Sequence, residues 1–115
     1  MQENGEIGLP LSKSYSKNMH STFSLELSPA AKRDLKKLPR PVQEEIAFKH
    51  LPEIQGDPLS QSEPLLGTLK GERSYHFGRN PEYRIIFFVD GDTVTVTVIG
   101  TREGIYRRAK RRKRS

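Results

Sequence analysis

Two apolar runs joined by a tight-turn signal constrain this chain more than any other feature. Residues 83–89 read YRIIFFV, and residues 93–99 read TVTVTVI, a strict alternation of Thr with Val. Asp90-Gly91 lies between them, and Gly accepts the positive φ that a short hairpin turn demands. The prediction is an antiparallel hairpin. The near-continuous run 85–89 predicts a strand covered on both faces. Val94, Val96 and Val98 are expected to bury one face of their strand and leave the Thr residues on the other.

The rest of the chain must supply the cover. Phe23, Leu25 and Leu27 alternate with polar residues, the period of a half-buried strand. Ser28-Pro29 then reads as a helix start, with Ser as cap and Pro where a missing N–H leaves no bond unmade. Ala31, Leu35 and Leu38 form one apolar stripe, with Lys32, Arg33, Lys36 and Lys37 opposite, and Pro39-Arg40-Pro41 ends the helix. A second helix is expected over about 41–54. Glu44 and Glu45 lie in its first turn, Val42, Ile46, Leu51 and Ile54 make a blurred stripe, and Pro52 should kink or stop it. Residues 55–68 are rich in turn formers and read as a loop, and 74–77 is a short strand. The order β-α-α-β-β-β predicts an α+β fold, with two N-terminal helices packed on a twisted antiparallel β-sheet.

Charge divides the chain differently. Of its 115 residues, 20 are Lys or Arg and 14 are Asp or Glu, a formal net charge of +6. Seven of the basic residues fall in the last nine positions: Arg107, Arg108, Lys110, Arg111, Arg112, Lys113 and Arg114. Without them the balance is 13 basic to 14 acidic, so the body is near neutral and the basicity belongs to a tail. Such a tail suits a polyanion, because each cation that meets a phosphate releases counterions. Residues 1–22 lack periodicity and are expected to be a disordered extension. The domain is expected over 23–108, and 109–115 as a basic tail.

Several function classes drop out. With no cysteine there is no disulfide scaffold, thiol nucleophile or Cys zinc site. The three histidines, His20, His50 and His76, have no ligand-spaced neighbours, so neither a metal nor a cofactor is expected. No phosphate-cradling glycine motif, HExxH or nucleophile elbow is present. No apolar run approaches the ~20 residues of a membrane span, and the N-terminus has no signal-like apolar region. A cytoplasmic protein is expected.

What remains is a cluster at the ends of the C-terminal strands. His76 and Arg79 lie on or after the short strand, Tyr83 and Arg84 open the central one, and Arg102 and Tyr106 follow the last. A guanidinium offers a fork that fits phosphate oxygens, and Tyr offers a proton and a ring for stacking. The ordinary alternative is that Arg84 and Arg102 pair with carboxylates such as Glu82 and Glu103, with Tyr83 and Tyr106 as core rim.

The ordered set of motifs resembles the RelE/ParE toxin superfamily of bacterial and archaeal toxin–antitoxin modules. The resemblance covers about 23–108 and runs through SPAAKRDLKKLP, VQEEIAFKHLPEIQGDP, Leu69-Lys70-Gly71 and YRIIFFVDGDTVTVTVIGTREGIYRRA. This last stretch is similar to the family's Tyr-Arg strand, hairpin and Gly-x-Arg-x-x-x-Tyr close. The RelE-like branch implies a metal-independent RNase that enters the ribosomal A site, where the ribose 2′-OH attacks the adjacent phosphorus of the messenger. By resemblance, Arg84 and Arg102 clamp the scissile phosphate, Tyr106 stacks or moves a proton, and His76 serves as acid or base. Lys70, Arg79, Arg107, Arg108, Lys110, Arg111 and Arg112 would bind RNA and the ribosome. The implied partners are a cognate antitoxin, the ribosome and mRNA, with no membrane. Two positions depart from the pattern: Thr101 stands where His is common, and the 75–79 strand carries Arg79 as its one fixed cation. The ParE-like branch implies instead a DNA gyrase inhibitor, and a third possibility is a non-toxic antitoxin-binding module.

Overall fold

The computed structural model describes residues 23–113. Strand β1 (Ser24–Leu27) leads into helix α1 (Pro29–Lys36), whose N-cap Ser28 accepts the Ala31 N–H at 3.1 Å. Helices α2 (Arg40–Glu45) and α3 (Leu51–Gly56) follow, joined by a π turn over Ile46–His50. A two-residue strand β2 (Glu63–Pro64) precedes β3 (Glu72–Phe77), β4 (Tyr83–Asp90), β5 (Thr93–Thr101) and a terminal helix α4 (Ile105–Lys113).

Pro52 does not stop the second helix, which runs on to Gly56. The Leu51 N–H reaches back five residues to the Ile46 carbonyl, so the widened turn comes just before the proline. Pro52 follows that widened turn within one unbroken helical run over 40–56, at the position that has no N–H to donate.

The five strands form one sheet in the order β1-β5-β4-β3-β2. The expected hairpin is β4–β5, with Asp90 facing Thr93 and Gly91 at φ +63° in the two-residue turn. All pairings are antiparallel except β1 with β5, which is parallel, so the sheet is mixed where a purely antiparallel one was expected. The long excursion through three helices and three strands lets the chain return beside β1 in the same direction. The loop expected over 55–68 also contributes β2, which pairs with the start of β3. Arg73 pins the preceding turn, donating to Ser62 Oγ at 2.7 Å and to the Leu59 carbonyl at 3.1 Å.

The α1–α3 layer covers one face, where Ala31, Ile46 and Ile54 pack on Tyr75, Ile85, Phe87, Val94, Val96 and Ile99 of the sheet. Helix α4 covers the other, where its Ile105 and Ala109 pack with Leu69 against Ile86 and Val98 of the sheet. The central strand is therefore buried on both sides, as its apolar run requires. One expectation fails: Val98 does not share a face with Val94 and Val96. Ile86 pairs with Val98 while Phe87 pairs with Val96, so Thr97 is an extra residue in β5. A bulge of one residue inverts the facing of everything beyond it.

The basic tail is also corrected. The expected boundary at 108 falls inside α4, whose Ile105 and Ala109 are buried. Arg112 and Arg108 turn inward as well, onto Asp34 of α1 at 2.7 and 3.3 Å. Charge density hid an amphipathic helix. The expected extension 1–22, with His20, lies outside the described residues, as does Arg114. Among the described residues, no helix is long and apolar enough to cross a membrane.

Candidate active site at the end of the sheet

On the α4 side of the sheet, β3 presents Ser74 and His76, and β4 presents Arg84. The register sets His76 opposite Arg84, and Arg84 opposite Gly100. The missing side chain at Gly100 leaves room for the Arg108 guanidinium, whose Nη1 would lie 3.0 Å from a Cβ there. Helix α4 then delivers Tyr106 from above: Arg84 Nη1 donates to the Tyr106 hydroxyl, and the Arg84 Cζ lies 5.7 Å from the Tyr106 ring centroid. Ser74 Oγ lies 3.4 Å from the same hydroxyl.

The other edge of Arg84 is held by Glu82. Its Nε and Nη2 reach one carboxylate oxygen, Oε2, at 2.8 and 2.6 Å. His76 Nδ1 lies 3.8 Å from that same oxygen. The hydrogen bond from Arg84, reinforced by the charges of Arg84, His76 and Arg102, holds the Glu82 carboxyl below the usual carboxylate range against a smaller push from burial. Burial works against the charge on Arg84, but its bonds to Glu82 and Tyr106 outweigh it and raise its pKa.

Beyond Glu82 opens a cleft of about 590 Å³ whose walls include Arg79, Asn80, Arg102 and Glu103. The Arg102 N–H donates to the Glu82 carbonyl at 2.9 Å, fixing the chain there, while the Arg102 side chain is exposed and makes no ion pair among the described residues. The site thus gathers His76, Arg84, Arg102 and Tyr106 with Arg79 at the rim. It does not gather Lys70, which precedes β3 at the opposite end of that strand from His76. Arg107, Lys110 and Arg111 are exposed on the outer face of α4. Arg108 and Arg112 point inward and are correspondingly poor candidates for nucleic acid.

The ordinary alternative was right for Arg84, which pairs with Glu82, and for Tyr83, which is buried and stacks on Phe77 at 5.3 Å. Arg102 does not pair with Glu103. Glu82 was legible as a pairing partner from its i, i+2 spacing to Arg84 on an extended segment, which puts both on one side, but sequence reasoning gave it no place in the site. Asp34 and His50 carried no such signal. His50 is buried on the helix side of the sheet, with Nδ1 2.5 Å from Tyr75 Oη and Nε2 2.9 Å from Glu45 Oε2. Tyr75 donates on to Glu53 at 3.0 Å, and burial together with that carboxylate raises the phenol's pKa.

Residues 25–106 match the family model of the ParE toxin of type II toxin–antitoxin systems. Among solved structures, the chain is similar to the RelBE2 toxin–antitoxin complex of Mycobacterium tuberculosis, with 29% identity over 70% of this chain and 98% of that one and a TM-score of 0.57. It shares its fold with an arginine double mutant of E. coli RelE in the free state, at 23% identity, 80% and 96% coverage and TM-score 0.62. The fold also recurs in the archaeal RelE–RelB complex of Pyrococcus horikoshii, at 14% identity, 71% and 97% coverage and TM-score 0.52. No curated protein sequence matches the chain. A family match across almost the whole described domain, on a fold shared with these toxins, assigns the chain: it belongs to the ParE toxin family of type II toxin–antitoxin systems, within the RelE/ParE superfamily.

Proposed function

We propose that this chain is the toxin of a type II pair and acts as a metal-independent, ribosome-dependent endoribonuclease. The observation that carries the reading is the Arg84–Tyr106 contact beside His76, with Arg102 and Arg79 lining the adjoining cleft. Cleavage by 2′-OH attack needs a base for that hydroxyl, cations for the charge that develops on the phosphorane, and a proton for the leaving 5′-oxygen. Arg84 and Arg102 supply the cations. Tyr106 holds a hydroxyl against Arg84 and a ring on which a base can stack. His76 is exposed at the strand end, and imidazole is the side chain that exchanges protons near neutral pH. Glu82 shares the site and is, among the described residues, the one carboxylate in contact with Arg84.

The cytoplasmic ribosome and its messenger are the proposed targets, and the exposed Arg107, Lys110 and Arg111 of α4 suit ribosomal RNA. A cognate antitoxin is the proposed protein partner, since two of the similar structures are toxin–antitoxin complexes. The match to the ParE model favours a second reading, inhibition of DNA gyrase. Primer extension on a translated messenger separates the two. Codon-registered cuts are the expected result. Intact messenger with lost supercoiling would establish the gyrase reading, and neither effect would leave an antitoxin-binding module.

A further inference from the structure

The guanidinium of Arg84 has two working edges, and both are occupied. Nη1 is turned to Tyr106, while the Nε/Nη2 fork closes on Glu82 Oε2 at 2.8 and 2.6 Å. That fork is the one suited to the two non-bridging oxygens of a phosphodiester. A carboxylate with its two oxygens is the nearest protein equivalent of such a group. As the site stands, an incoming phosphate and Glu82 compete for the same two N–H donors.

We propose that Glu82 gates the phosphate subsite, lying on Arg84 until a phosphate group displaces it into the neighbouring cleft. The inference rests on reading Arg84 as the phosphate-binding cation. The local geometry gives the side chain somewhere to go. Glu82 is fixed through its backbone, where its carbonyl accepts the Arg102 N–H at 2.9 Å, so its carboxylate can turn while the chain holds still. It forms part of the wall of the cleft of about 590 Å³ that Arg79 and Arg102 also line, and those cations offer it a second charge partner. Residues 78–81, which lead into it, are all exposed, so no core packing resists the turn. The exchange swaps one anion for another on Arg84 and keeps the local charge balanced. The gate therefore discriminates: a ligand without a fork-matching anion gains nothing by opening it. A site that binds its anion only in the fraction of time that Glu82 leaves it open has its apparent affinity reduced in that proportion.

The experiment is a titration of inorganic phosphate followed through the Arg84 Nε–H resonance in the full chain. Glu82→Gln is expected to bind phosphate about tenfold more tightly than the unsubstituted protein, the equivalent of one charge-assisted hydrogen bond removed from the competing state. Glu103→Gln removes the same charge from the same cleft without touching Arg84, and should change affinity by no more than about twofold. Glu82→Asp keeps the charge but shortens the reach, and its affinity should fall between those of E82Q and the parent. E82Q no tighter than E103Q, or E82D indistinguishable from the parent, would overturn the gate. Phosphate at Arg84 with equal affinity in E82Q and parent overturns the gate alone and leaves Arg84 as the phosphate cation. Absence of phosphate from Arg84 in every variant overturns both.

Discussion

Asp34 of α1 accepts both ends of the Arg112 guanidinium of α4, at 2.7 and 3.1 Å, across 78 positions of sequence. The contact wraps the free edge of β5. Strand β1 pairs only as far as Val96, so the backbone beyond it needs other partners. Arg112 takes the Thr97 carbonyl at 2.8 Å, Asp34 takes the Ile99 N–H at 3.0 Å, and Arg108 takes the Ile99 carbonyl at 3.1 Å. Side chains from both layers close the edge that would otherwise be left unpaired.

Arg112→Ala should therefore destabilise the protein by about 1–3 kcal/mol, because a buried carboxylate loses its bidentate partner. Removing 107–115 should cost more, since it also exposes the face that Ala109 covers. Urea unfolding of both proteins checks this. Unchanged midpoints would show that α4 adds nothing to the fold.

The same pair sets an acid dependence. Burial pushes the Asp34 carboxyl up, but bonds from Arg112 and the Ile99 N–H, with the charges of Arg112 and Arg108, hold it below the usual range. An acid lowered in the fold stabilises fully above the ordinary carboxylate pKa of about 3.9 and loses that contribution as pH falls through its lowered value. The stability gap between the parent and Asp34→Asn should be widest near neutral pH and narrow in acid. A gap independent of pH would contradict the assignment.

Glu72 behaves in the opposite sense. Burial raises its carboxyl above the usual range, and Lys113 at 3.7 Å and Thr97 only partly compensate. Its ionised form opposes folding, so the contribution is most favourable below the ordinary carboxylate range and declines as pH rises through the raised value. Glu72→Gln should raise stability at neutral pH by up to about 1 kcal/mol, with the gain vanishing in acid. Thermal melts across pH 4–8, about one unit apart, decide it.

Activity should separate from stability at the sheet end. Arg84→Ala and Arg102→Ala are expected to lower messenger cleavage about 10²-fold or more, as loss of a transition-state cation does. Tyr106→Phe keeps the ring and removes the hydroxyl, so it isolates the contact with Arg84. Growth arrest unchanged in soluble R84A and R102A proteins would refute the RNase reading.

The two sides of α4 should divide likewise. Replacing Arg107, Lys110 and Arg111 with Ala should weaken ribosome association and lower its log–log salt slope by about 0.7–0.9 for each phosphate left without its cation. Stability should hold, because these side chains are exposed. A melting loss equal to that of Arg112→Ala would place them in the fold instead.

Local chemistry alone determined the hairpin, because alternation along 93–99 and a glycine turn act between neighbours in sequence. It also determined the start of α1, where Ser28 and Pro29 satisfy the helix end from adjacent positions. The positions of His76, Arg84, Arg102 and Tyr106 near one end of three strands followed from the same parse. The tertiary structure decided what depends on distant partners. A one-residue bulge at Thr97 moved Val98 to the other face, a parity that no composition records. The parallel docking of β1 left an edge of β5 for Asp34 and Arg112 to close, turning a run of charges into a packed helix. Glu82 was visible as a carboxylate beside Arg84, but the second partner of that guanidinium, Tyr106, reaches it only because α4 folds back across the sheet. Spacing fixes which face a side chain takes within one element, whereas the angle and direction of packing between elements fix which side chains meet.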